Sequence, residues 1–341
     1  MRIAVDALGG DYAPAEVLRG VAQALLTEEF RPEELLVVGP ESLVAQKLKE
    51  EGVTQLPGIL HTDEVIASHE KPIQALRAKP NASVSMCVGA VREGKADGLI
   101  AFGNTGATVA AATMGLGMLP GIRRPAISVV LSGSAGRFVL LDAGANPTPK
   151  PQHLFHNGIM GDAYARDILG IEKPRVALMN IGGEASKGSP VVKEAYGLLD
   201  QSSLNFTGNI EGNHLFFGEA DVIVADGYAG NMILKVVEGF AEYLQGRAAT
   251  LSDDATTEVK STLRQLFGAA DYAEVGGALL MGVNGIVMIG HGRSKASAVL
   301  PALRTVRADV EHGVNTHITE TVAAMRAAQL AAEGASPSDP S

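Results

Sequence analysis

The 341-residue chain has no tryptophan, a single cysteine and only 4% aromatic residues. One thiol, Cys87, excludes an intramolecular disulfide framework and any zinc site built from several cysteines. Long apolar runs are missing too. The most apolar stretches, residues 107–119 and 276–290, fall short of the roughly 18 residues that span a bilayer. Asp6 stands where a signal peptide would carry its apolar segment, so a cytoplasmic location is expected. The formal charge is -10, from 28 basic and 38 acidic residues, and no run of Lys and Arg forms a basic stripe. Nucleic acid as a partner is disfavoured.

What is abundant is glycine: 40 residues, against a usual share of about 7%. A collagen-like repeat is excluded because the glycines show no three-residue period. A 46% hydrophobic fraction with 19% charge excludes wholesale disorder. Many glycines fall at the ends of short apolar runs, at residues 3–8, 35–38, 98–102, 127–131, 138–141, 176–179, 221–225 and 286–289. Runs of this length suit strands buried on both faces of a mainly parallel sheet.

Helical patterns alternate with these runs. Pro14 can open a helix with Val17, Val21 and Leu25 on one face, and Ser189-Pro190 reads as N-cap and first turn ahead of Val192, Ala195 and Leu199. Ile233, Val237, Phe240 and Leu244 make a third stripe; Val259, Leu263, Leu266 and Phe267 make a fourth. Alternation of this kind predicts an α/β fold of three layers, α/β/α, with crossover helices. Residues 334–341 read as a disordered tail.

Four turns carry the candidate chemistry. They are Gly103-Asn104-Thr105-Gly106-Ala107; Asn180-Ile181-Gly182-Gly183-Glu184 with Lys187-Gly188; Gly208-Asn209-Ile210-Glu211-Gly212; and Asp226-Gly227-Tyr228-Ala229-Gly230-Asn231. Glycine lets backbone N–H groups turn toward a ligand, and a following helix N-terminus adds partial positive charge. A connection between strand and helix needs Gly and Asn anyway, but four such turns together describe an anion site, most naturally for phosphate. His291, in Gly290-His291-Gly292-Arg293-Ser294, stands at the end of a strand beside the same crevice and is a candidate general acid or phosphate ligand.

Other motifs are absent. No Gly-x-x-x-x-Gly-Lys-Ser/Thr, Gly-x-Gly-x-x-Gly or Gly-x-Ser-x-Gly string occurs, so the sequence supports neither a P-loop, nor a dinucleotide fingerprint, nor a nucleophile elbow. His153 and His156 lack an adjacent acidic ligand, and Cys87 reads as a packed thiol. No metal site is expected.

Strings along the whole chain carry a family likeness: residues 1–14 (MRIAVDALGGDYAP), 103–107, 124–127 (RPAI), 142–146 (DAGAN), 180–188 (NIGGEASKG), 206–212, 221–231 and 282–294. In these the sequence resembles the bacterial phosphate acyltransferases, which move a fatty acyl group from acyl carrier protein to inorganic phosphate. The resemblance implies a fold similar to phosphotransacetylases and to isocitrate/isopropylmalate dehydrogenases. Residues 1–100 and 276–333 would form one subdomain, and residues 101–275 a second that carries the helices of a homodimer. It implies no cofactor, an acyl phosphate product used by a membrane glycerol-3-phosphate acyltransferase, and a location in the cytoplasm or at the inner face of the membrane. Phosphate is placed among Asn104, Thr105, Gly106, Asn209, Gly230 and Asn231, with Lys187 as charge partner and His291 as proton donor or oxyanion ligand. Asp142, Asn146, Asn180, Glu184, Gly208, Glu211, Asp226 and Gly227 complete the expected site. Loss of Lys187 is expected to cut turnover about a hundredfold. The segment at residues 247–267 is shorter and more acidic than in the family, which favours a packed helix or a dimer surface over a membrane anchor. Arg123, Arg124, Lys260 and Arg264 are candidates for meeting an acidic carrier. A phosphotransacetylase using a coenzyme A thioester, and a non-catalytic acyl- or anion-binding scaffold, are the competing readings.

Overall fold

A computed structural model describes residues 1–248 and 276–334. The fourth helical stripe, Lys260, Arg264 and the segment after Gly334 lie outside the described residues. In chain order the elements are β1 (Ile3–Asp6), α1 (Ala15–Leu26), β2 (Leu35–Gly39), α2 (Glu41–Glu50), β3 (Gly58–His61), α3 (Pro72–Ala78), α4 (Ser83–Arg92), β4 (Gly98–Ala101) and α5 (Thr105–Leu116). Next come β5 (Ala126–Gly133), β6 (Gly136–Leu141), α6 (Pro151–Asp167), β7 (Val176–Met179), α7 (Pro190–Asp200), β8 (Phe206–Ile210), β9 (Val222–Val224) and α8 (Gly227–Ala248). After the undescribed segment follow β10 (Ala278–Met281), β11 (Ile286–Ile289), α9 (Ala296–Glu311) and α10 (Val314–Gly334).

All the described strands join one sheet in the order β3-β2-β1-β4-β11-β10-β5-β6-β9-β7-β8. The five strands from β3 to β11 run parallel to one another, as do β6, β9, β7 and β8. Between them β10 is antiparallel to both β11 and β5, and β5 is antiparallel to β6. The two parallel halves therefore run in opposite directions, and their C-terminal ends open at opposite edges.

Alternate residues of each strand enter two separate cores. Ile3, Val5, Ile286 and Met288 pack under α1, α2, α6, α7, α9 and α10; Ala4, Val287 and Ile289 pack under α3, α4, α5 and α8. These are the two helical layers of an α/β/α sandwich, the architecture that alternating strand and helix patterns predict. α5 lies on α3 and α4 within one half, and α10 packs onto α6 of the other, so the halves touch through helices as well as through their sheet.

Local signals explain the helix ends. Ser189 Oγ accepts from Val192 N–H, with Pro190 in the first turn, as its sequence predicts. On α8 the buried face is Leu234 and Val237, while Phe240 is 52% exposed. The expected stripe through Ile233, Val237, Phe240 and Leu244 is thus rotated, because only the inner side of α8 meets the sheet.

Candidate active site

Three neighbouring strands, β1, β4 and β11, end in glycine turns that press backbone on backbone. A Cβ on Gly9 would lie 2.8 Å from Gly103 N, and one on Gly290 would lie 2.0 Å from the Phe102 ring. Asp11 N–H donates to Gly292 O at 2.7 Å, tying the first turn to the last. Only glycine permits this approach.

The turn after β4 caps α5. Asn104 Oδ1 accepts from Ala107 N–H at 3.0 Å, and its Nδ2 donates to the carbonyls of Ala67, Ser68 and Glu70. This side chain is fully committed to holding the loop at residues 67–70 against the helix, so the donors left for an anion are the first-turn N–H groups of Thr105 and Gly106. Facing them, His291 Nδ1 accepts from Arg293 N–H at 3.1 Å. In the neutral ring this bond assigns the proton to Nε2.

Thr105, Gly106 and His291 form one end of a cleft of about 730 Å³. Its floor is Ile127, Ala278 and Ile289 on the central strands, and its walls are Val109, Ala110 and Thr113 of α5 and Leu234 of α8. Asn146 and Asn231 lie along the opposite side, with Arg124 and Lys235.

That side is built around Asp142, which is 1% exposed. Its Oδ1 accepts from the N–H groups of Ile127, Gly144 and Ala145, and its Oδ2 from the backbone N–H and Nδ2 of Asn146. Asn146 Nδ2 also donates to Pro125 O at 2.5 Å, and Asn146 O accepts from Gly227 N–H at 2.9 Å. Gly230 sits so close that a Cβ would fall 2.0 Å from Asp142 O. Asp226 Oδ1 caps α8 through Ala229 N–H at 2.7 Å. Asp142, Asp226, Gly227 and Gly230 therefore position the wall that carries Asn146 and Asn231.

The remaining expected residues assemble elsewhere. Asn180 Oδ1 accepts from Ile181 N–H and its Nδ2 donates to Lys187 O; Asn209 Nδ2 donates to Glu184 O at 2.9 Å. Gly208 and Glu211 flank Asn209 on and after β8. Lys187 is exposed on this loop, and none of these residues lines the cleft. The loop leaves β7, two strands from β6 and so about 10 Å from the Asp142 wall.

Charge gathers at one mouth of the cleft. Arg123, Arg124 and Lys150 are exposed, and among the described residues none of them has a carboxylate partner. Burial and then the nearby Arg123 push the imidazole of His156 down to about 4; burial and then Arg124 lower His153. Both rings are driven toward the neutral form by burial first and by the cationic neighbourhood second. Cys87 is buried, and burial pushes its thiol up, in keeping with a packed side chain.

The sequence singles out His291 and the α5 turn but not the adjoining wall of Val109, Ala110 and Thr113. A signal for the wall was available: α5 has no charged residue in twelve.

A family model described as "Fatty acid synthesis protein" matches residues 1–317. A phosphate acyltransferase of Desulfitobacterium hafniense (strain DSM 10664 / DCB-2) is 42% identical over 336 residues, covering 96% of this chain and 100% of that one. One from Pelotomaculum thermopropionicum is 44% identical over 328 residues, covering 94% and 95%. Among solved structures, a phosphotransacetylase from Streptococcus pyogenes superposes with a TM-score of 0.63 at 20% identity, covering 91% of this chain and 94% of that one. A branched-chain phosphotransacylase from Enterococcus faecalis V583 gives 0.59 at 18%, covering 92% and 100%. The structural likenesses establish a shared fold.

Proposed function

The chain belongs to the phosphate acyltransferase family, and on that premise we propose that it moves a fatty acyl group from acyl carrier protein to inorganic phosphate. The observation that carries this reading is one cavity with a donor-rich end and an apolar body. At the donor end the N–H groups of Thr105 and Gly106 stand beside His291, and Asn231 offers its amide from the opposite wall; these donors suit a phosphate dianion. A phosphate oxygen attacks the thioester carbonyl, the C–O bond forms, the C–S bond breaks, and the proton of hydrogen phosphate ends on the carrier's sulfur. His291 Nε2–H donates to the carbonyl oxygen as it gains charge, a contact that strengthens in the transition state. Holding the two reactants side by side supplies much of the remainder.

The acidic carrier fits the cations at the mouth, Arg123, Arg124 and Lys150, which have no carboxylate partner among the described residues. Lys187, on its separate loop, is placed to meet the carrier or its arm rather than the phosphate. The outer face of α8 shows Tyr228, Met232, Val236, Phe240 and Tyr243, all exposed. An apolar stripe of this size supports a homodimer through α8. Among the described residues no helix is long and apolar enough to cross a membrane; the acyl phosphate would pass to a membrane glycerol-3-phosphate acyltransferase at the inner face.

The test is purified protein with phosphate and either acyl carrier protein or coenzyme A thioesters, followed by hydroxylamine trapping of acyl phosphate. Product from the carrier thioester is expected. Product from coenzyme A alone would make the chain a phosphotransacetylase, and none from either would leave a binding scaffold.

A further inference from the structure

The wall of the cleft on α5 calls for an occupant. The helix buries Ala107, Thr108, Ala111 and Ala112 against the protein core, as an amphipathic helix should. Its other side is not polar: Val109, Ala110 and Thr113 face the cleft, and Met114 beyond them is 66% exposed. An open helix face without a charge, opposite Leu234 and above Ile127, is suited to an apolar ligand. The face begins at the donor end beside Thr105 and runs away from it, one turn at a time. The cleft of about 730 Å³ has room for about two dozen heavy atoms at roughly 30 Å³ each. A phosphoryl group with a long alkyl chain is of that size, whereas an acetyl group would leave most of it empty.

We propose that the acyl chain lies along α5, with its carbonyl at His291, and that Ala110 and Thr113 set the chain length accepted. This rests on the acyl-transfer reading and adds where the chain goes. Small side chains keep the channel open. Ala110 stands nearer the carbonyl than Thr113, by three residues or about 4.5 Å of helix, equivalent to three or four methylenes.

Two variants, Ala110→Phe and Thr113→Phe, are to be compared with the unaltered protein on acyl carrier thioesters of graded length, with phosphate-dependent thiol release as readout. In Ala110→Phe the ratio of long-chain to short-chain kcat/KM is expected to fall at least tenfold. In Thr113→Phe the fall is expected to begin three or four carbons later. Equal losses at every length, or one cutoff for both variants, would overturn the assignment. Binding of a fluorescent long-chain fatty acid, cis-parinaric acid, gives a second readout without turnover. Weaker binding in Ala110→Phe, by at least fivefold, supports the chain site even if the unaltered protein releases no thiol, a result that would sink the transfer reaction alone. Undiminished binding in a folded Ala110→Phe protein overturns the site.

Discussion

The turn at residues 290–293 and the loop at residues 180–188 both follow a strand, both are rich in glycine, and both carry an exposed cation, Arg293 or Lys187. Their hydrogen bonds separate them. In the 180–188 loop the side chains of Asn180 and Asn209 bond to the loop's own backbone, and Gly183 has open space where a Cβ would be. In the 290–293 turn Gly290 makes room for the Phe102 ring, and His291 is held through Nδ1, which accepts from Arg293 N–H. A glycine-asparagine turn thus has two uses: asparagine amides can brace a loop, or glycine backbone can bring a reactive side chain to a cavity.

The largest effect is expected at His291. His291→Ala should lower kcat by about 10²–10³ with a smaller change in phosphate KM, the usual cost of losing one preorganised donor. His291→Gln, which keeps an N–H near the same place, should recover part of it. Unaltered kinetics in His291→Ala would remove the distinction between the two turns.

Asp142 comes next, as the residue that holds the cleft's other wall. Asp142→Ala strands the five N–H groups it now accepts from and should cost on the order of 3 kcal/mol, read as a fall in the denaturation midpoint. Asp309 is the reverse case: a fully buried carboxyl with no hydrogen-bond partner among the described residues, pushed up to about 8 by burial. The unfolded chain ionises at its ordinary carboxylate value while the folded chain stays protonated, so this group erodes stability as pH rises from about 4 to 8. Asp309→Asn should therefore stabilise the protein at pH 8 by a few kcal/mol and change little at pH 4. A gain independent of pH would show that Asp309 is not titrating as described.

Much of the fold was legible because the inner strands are continuous apolar runs, and the hidden faces of α1 and α7 follow helical spacing. The strands that escaped notice have physical reasons. β3 and β8 are sheet edges, half open to solvent, and Phe206–Ile210 (Phe-Thr-Gly-Asn-Ile) reads as a turn. β10 hides inside a longer apolar stretch whose reversal only the sheet order reveals. The candidate cleft was legible at His291, a titratable side chain between two glycines that does line it. It was not legible at Asn104 or Asn209, since the same amide that can hold phosphate can also bond a nearby carbonyl, and sequence does not say which neighbour arrives.

Glycine substitutions probe the comparison at the level of the backbone. Gly9→Ala forces its Cβ to within 2.8 Å of both Gly103 N and Asp6 Oδ2, so the β1 and β4 turns must part, at about 1–3 kcal/mol. Gly183→Ala meets nothing within 4 Å and should change stability by no more than about 0.5 kcal/mol. Equal effects on thermal midpoints would mean that the first cluster is looser than its contacts imply.

A small effect on turnover is expected from Lys187→Ala, and it decides how far the second loop takes part. From a position about 10 Å beyond the Asp142 wall, an exposed ammonium reaches a bulky acidic carrier more readily than a phosphate at His291. Removing one screened surface charge should then raise the KM for the carrier thioester about threefold to fivefold, with kcat and phosphate KM held, and added salt should shrink the difference. The sequence alone led to a hundredfold loss of turnover. If that loss is found in kcat, the loop must close over the cleft or reach the site of a second copy, and the two glycine clusters would be parts of one catalytic surface.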